Sequence, residues 1–283
     1  MSRGRLRQIR RRIQSTESTM QITRAMEMVA RAKVQKVEKL LKTVRRFAEE
    51  ARNIVVNLPI SGVDDVLLTG GKGTAIMVVT ADMGLCGAFN TDIAKTAEKM
   101  AGEFEDFAGF IVIGSRGLTY LSKRNEILHP FPKLYDTPSF SVAERVLDTI
   151  LDDVREGRYG KLKLVYSEFK SRLVQRPSTM DLIPIKIERK EEGDRIRKIW
   201  EYEPEVEGNV ERYLFLYLSA ELFRVLYETK VGELYARMNS MKNATDNAKE
   251  VIRQLTLAFN KARQASITQE IIEVVNGAEA LKE

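Results

Sequence analysis

Between Ile9 and Val55 the apolar side chains recur in alternating steps of four and three residues. Fourteen positions fall on that stripe, from Ile9 and Ile13 through Val34 and Leu41 to Val55, and eleven of them are apolar. A repeat averaging 3.5 residues keeps one narrow seam against a partner helix, the pattern of a coiled coil rather than of a globular helix face. Pro59, Gly62 and the pair Asp64 and Asp65 stop it. The same repeat resumes near Asn209 and runs through Tyr217, Val231, Met241 and Ile252 to Ala262, with no proline and only Gly232 before Gly277. At 1.5 Å per residue the second helix is about 110 Å long and the first about 80 Å. Two such helices in one chain fold back most simply as an antiparallel pair.

The period changes between them. TAIMVVT (74–80), FIVI (110–113), LKLVY (162–166) and LIPIKI (182–187) are short apolar, β-branched runs that predict strands, and 139–156 predicts a helix. Strand and helix in alternation make a small Rossmann-like α/β domain inserted between the helices. The predicted segments are 1–58, an N-terminal coiled-coil helix; 74–197, the α/β domain, with a solvated hairpin or loop at 188–197; and 209–283, a C-terminal helix.

Past Ala262 the second seam meets Ser266, Gln269, Glu273 and Asn276. It turns polar, so the partner helix has run out at Ser266. A new apolar stripe begins one position over, at Ile267, Ile271, Val274, Ala278 and Leu281, with Ile272 and Val275 beside it. Roughly the last twenty residues therefore overhang the pair and offer apolar surface to another body. On the first helix, Ile22, Ala25, Met26, Met28, Val29, Ala30 and Ala32 spread over about 200° of circumference, wider than a two-helix seam needs. That stretch touches something besides its partner, either another protein or a third helix of this chain. Methionines suit such a surface because they adapt to unlike contacts.

Composition removes several function classes. Cys86 is the single cysteine, which excludes an internal disulfide and a cysteine-built zinc site. The one histidine, His129, lacks the partners that catalysis or metal binding recruits. No apolar run reaches the ~18 residues of a membrane span. Neither GGKGT (70–74) nor GLCG (84–87) has the spacing and position of a phosphate loop, so no bound cofactor, metal or catalytic set is expected. The net charge is +6, and six arginines precede the first acid, Glu17. Such a cluster fits nucleic acid, anionic lipid or an acidic protein. It runs without a break into the periodic helix, so it is not expected to be a separable presequence. Two rival readings follow: a basic coiled-coil nucleic-acid-binding protein, and a nucleotide-dependent α/β enzyme. The Ala- and Val-rich seam argues against a basic-region zipper, and the missing phosphate loop argues against the enzyme.

Four stretches carry a resemblance: ITRAMEMVARAK (22–33), DMGLCGAFN (82–90), WEYEP (200–204) and NKARQASITQEIIEVVNGAEA (260–280). Together with the three-segment layout they resemble the gamma-subunit family of F-type ATP synthases. The resemblance implies a central rotor shaft that couples ion flow through the membrane sector to ATP synthesis or hydrolysis by rotating inside the alpha/beta hexamer. Partners would be three alpha and three beta subunits, the epsilon subunit and the membrane c-ring, with one copy per complex and no nucleic acid. Arg263, Gln264 and Thr268, with Glu270 and Glu273 of the same signature, match stator-facing positions, and Met26 matches one near that contact. Tyr202 and Glu203 would contact epsilon or the c-ring. The chain would be non-catalytic, bacterial, and peripheral on the cytoplasmic face of the inner membrane. Two departures stand out. Met83 takes a position that is basic in many relatives, and the short, cysteine-free 188–200 stretch leaves no thiol switch of the chloroplast type.

Overall fold

The computed structural model describes residues 2–58, 63, 65–172, 175–186 and 209–280. Helix α1 covers Ser2–Asn57 and helix α6 covers Val210–Ala280, the latter 71 residues without interruption. Between them lie α2 (Val66–Thr69), β1 (Thr74–Val79), α3 (Phe89–Ala101), β2 (Phe107–Ile113), α4 (Ser115–Leu121), β3 (Ile127–Phe131), α5 (Phe140–Arg155), β4 (Lys161–Glu168) and β5 (Arg176–Ile183). The chain forms two compact units, residues 1–30 with 238–283, and residues 31–237. Both long helices contribute to each.

In the second unit the sheet order is β3-β2-β1-β4-β5. β1, β2, β3 and β4 run parallel, and β5 is antiparallel to β4. Strand β1 is buried along its whole length, as a central strand covered on both faces must be. Its alternate residues feed two cores. Ala75, Met77 and Val79 pack with α5 and with Leu214, Leu218 and Leu222 of α6, while Ile76 and Val78 pack with Phe89, Ile93 and Ala97 of α3. Ser139 caps α5, its Oγ accepting the Val142 N–H at 3.3 Å.

Two strands depart from expectation. β5 lies at Arg176–Ile183, six residues earlier than the apolar run that predicted it, and β3 was not predicted. Both are edge strands and both contain a proline, Pro130 in β3 and Pro177 in β5. Proline lacks an N–H and is tolerated at an edge, where one side of the strand has no neighbour. His129 sits on β3 with Nε2 2.6 Å from Oδ2 of Asp153 on α5, which also takes the Arg158 guanidinium at 2.7 Å. The histidine is thus a tie between an edge strand and a covering helix.

In the first unit α1 and α6 pair antiparallel. Thr23 meets Thr245 and Arg10 lies over the ring of Phe259, so the number on one helix falls as the other rises. Counting heptads from the threonine pair, each seam position of α1 finds a seam position of α6, down to residue 2 opposite Ser266. All fourteen α1 seam positions are buried or half-buried.

Candidate functional site

The surface that stands out lies in the first unit. Ile22, Met28 and Val29 on α1 are 61%, 64% and 56% exposed, while Thr23 and Ala30 of the same turns are buried in the seam. Among the described residues, no other helix covers these three. On α6, Ile252, Leu255, Phe259 and Ala262 are half-buried in the seam, and beyond them the stripe Ile267, Ile271, Ile272, Val274 and Val275 is exposed. Leu281 lies outside the described residues.

One detail corrects the sequence reading. Ser266 is 5% exposed, so the seam does not end there. Helix α1 starts at Ser2, seven residues ahead of the first periodic position, Ile9, so by the register of the threonine pair its first turn reaches the level of Ser266. The overhang begins at Ile267, and its fourteen described residues to Ala280 reach about 20 Å at 1.5 Å each.

The other expected contact residues of α6 surround this stripe, while Met26 lies well along α1. Met26 is half-buried, and Arg263, Gln264, Thr268, Glu270 and Glu273 are exposed. Within the helix, Thr268 Oγ1 donates to the Gln264 carbonyl at 3.0 Å, and Gln269 Nε2 donates to Glu273 at 3.0 Å. Charged and amide groups thus interleave with large apolar ones along this exposed end of α6. Tyr202 and Glu203, and the WEYEP stretch around them, lie outside the described residues.

The second unit bears on the rival enzyme. In an open doubly wound sheet a ligand sits beyond the strand C-termini where the strand order reverses, here between β1 and β4. Helix α6 crosses that place. A Cβ added at Gly232 would lie 2.7 Å from Ser167 Oγ at the end of β4 and 3.3 Å from Phe89. The Gly84 carbonyl of the loop after β1 accepts the Arg237 guanidinium at 3.1 Å. The loop therefore holds a protein cation through its carbonyls, where a phosphate loop would offer N–H groups to an anion. The heptad spacing marks the seam side of this part of α6 and not the side that meets the sheet. The signal of that second side was the off-seam charges Glu228, Lys230, Glu233 and Arg237 around the only glycine in that part of the helix.

Among the described residues no helix is long and apolar enough to cross a membrane.

Known proteins resemble the chain over nearly its full length. The ATP synthase family pattern matches residues 5–281. An ATP synthase gamma chain of Desulforamulus reducens is 36% identical, the match covering 98% of this chain and 99% of the relative. One from Bdellovibrio bacteriovorus is 35% identical with the same coverage. The rotor of the Euglena gracilis mitochondrial ATP synthase shares the fold, with a TM-score of 0.69 at 16% identity over 93% of this chain and 99% of that one. Two long seam-paired helices around a doubly wound sheet, and a sequence aligned end to end with bacterial gamma chains, lead to one assignment: the chain belongs to the ATP synthase gamma chain family.

Proposed function

We infer that the chain is the central shaft of a rotary ATP synthase, and that its α6 overhang turns inside a ring of alpha and beta subunits, three of each. The observation that carries this is the exposed stripe Ile267, Ile271, Ile272, Val274 and Val275 on a helix that has outrun its partner. Contiguous apolar surface of this kind marks a protein contact. Ile22, Met28 and Val29, farther along the rod on α1, offer a second exposed apolar patch to the same ring of partners.

The role is mechanical. One asymmetric shaft cannot touch three identical beta subunits alike, so its orientation favours a different conformer in each. A ligand shifts an equilibrium only through such differential affinity. Nucleotide chemistry belongs to the partners, and this chain contributes no catalytic group. The basic face of α1 suits acidic loops on those partners. The sheet-bearing unit and the stretch containing Tyr202 and Glu203 would form the foot, against epsilon and the c-ring, with one copy of the chain per complex. The assembly would sit peripherally on the cytoplasmic face of a bacterial membrane.

Co-expression with the alpha and beta subunits of its own organism tests this reading. The expected result is a stable complex with one copy of this chain per three beta subunits, in which a bead fixed to the chain rotates during ATP hydrolysis. A chain that purifies alone, or a complex whose bead stays still while ATP is consumed, would overturn it.

A further inference from the structure

On the α6 face turned to the sheet, Lys230, Glu233 and Arg237 follow one another at spacings of three and four, which puts them on one side of the helix. Lys230 is 6% exposed and Glu233 1%. The Lys230 ammonium lies 3.0 Å from Oδ1 of Asp136, on the loop after β3. It lies equally close to Oε2 of Glu233, off the line of a hydrogen bond, so that contact is an ion pair alone. The same nitrogen stands 4.8 Å from the centre of the Tyr135 ring. Tyr135 is completely buried, and burial, with the Glu233 charge adding to it, holds its phenol well above the ordinary tyrosine range.

The cluster has two anchors on the sheet. Glu233 Oε1 pairs with Arg237, whose guanidinium also donates to the Gly84 carbonyl after β1. Asp82 accepts the Lys133 N–H at 2.8 Å and the Tyr135 N–H at 3.1 Å, and so fixes the loop that carries Asp136. Two strand-end loops therefore converge on one helix face through charge-assisted contacts.

Apolar packing is non-directional and survives small slips. Charge-assisted contacts are directional, and displacing Asp136 would leave the buried Lys230 without its hydrogen-bonded carboxylate, with Glu233 to balance it. We propose that Lys230, held between Asp136 and Glu233, is a torque-bearing lock that stops α6 from turning against the sheet. Rotation of the sheet would then be delivered to the helix instead of being lost as slip. The lock rests on the shaft reading given above, and Lys230 and Asp136 are positioning residues within it.

The test uses the assembled ATP synthase in inverted membrane vesicles, with ATPase rate and the ion gradient formed per ATP hydrolysed measured together. Lys230→Met removes the charge at similar length, and Lys230→Arg keeps it. Asp136→Asn, at a side chain 58% exposed, weakens the lock with little risk to folding. The expected result is ATPase close to wild type with the gradient per ATP reduced about twofold or more in Lys230→Met, reduced by about a quarter or more in Asp136→Asn, and restored in Lys230→Arg. A residue needed only for folding would lower rate and gradient in proportion to the complex assembled, and leave their ratio unchanged. If Lys230→Met does not assemble, Asp136→Asn decides alone. An unchanged ratio in Asp136→Asn overturns the lock. A wild-type complex that forms no gradient overturns the shaft reading instead.

Discussion

Thr23 and Thr245 face each other across the coiled-coil seam with their hydroxyl oxygens 2.8 Å apart, and both side chains are buried. Each also reaches a carbonyl of its own helix, Met20 for Thr23 and Met241 for Thr245. Two hydroxyl protons serve three contacts, so each threonine relies on the other as donor or acceptor. Replacing one with valine should cost about 1 kcal/mol, because the remaining hydroxyl loses its cross-seam partner. Replacing both should return stability to within about 0.5 kcal/mol of wild type, since two apolar groups of the same shape are mutually satisfied. Urea unfolding of the two single variants and the double variant closes the cycle. Additive losses would mean that the hydroxyls do not interact.

Arg263 and Gln264 are exposed just before the overhang. Their joint replacement by alanine removes polar groups and no core, and alanine is the better helix former. The melting temperature of the isolated chain should hold while ATP turnover in the assembled complex falls. A loss of several kcal/mol in the isolated variant would instead make them structural.

Residues 267–278 should exchange their amide hydrogens rapidly in the isolated chain and slowly in the complex. An unsupported helix end is marginal in water, and Gly277 weakens it by about 1 kcal/mol relative to alanine. Residues 241–259, paired with α1, should be protected in both states. Equal protection of 267–278 with and without partners would contradict an open overhang.

A pH dependence belongs to the sheet edge. Asp181 on β5 receives Lys163 at 2.5 Å and Lys186 at 2.7 Å, and those two bonds hold its carboxyl below the ordinary aspartate range. A depressed carboxylate contributes stability that is present above its unfolded value of about 3.9 and lost as pH falls through the folded value. The stability difference between wild type and Asp181→Asn should therefore stay constant from neutral pH to about 5 and shrink in more acid solution. A difference that grows on acidification would reverse the sign of this assignment.

The seams were legible because a coiled coil writes its contacts into the spacing of every turn. Ile9 to Val55 and Val210 to Ala262 could be placed from their period alone, and α5 from Ser139 and the apolar face behind it. The edge strands were not legible. β3 and β5 carry proline and polar side chains because, among the described residues, one side of each faces no neighbouring strand, so their pattern resembles a loop. Ser266 was misjudged for a related reason. A small polar residue can sit in a seam when the opposing helix is long enough to cover it, and α1 begins ahead of its own periodic signal. The overhanging stripe was visible as a shift of one position in the apolar pattern. The charges of α6 around Gly232 escaped because a heptad template records the seam and ignores the opposite face, which here lies against the sheet.

The two edge prolines have a consequence for how this protein behaves in company. An open strand invites another chain to add itself to the sheet, and natural sheets discourage this with proline and charge. Pro130 and Pro177 each remove one donor from an outer strand, and Lys163 with Lys186 adds charge around Asp181 at the β5 side. Each border of the sheet is thereby a poor template for a further strand, so contacts made there fall to side chains and not to an added backbone ladder.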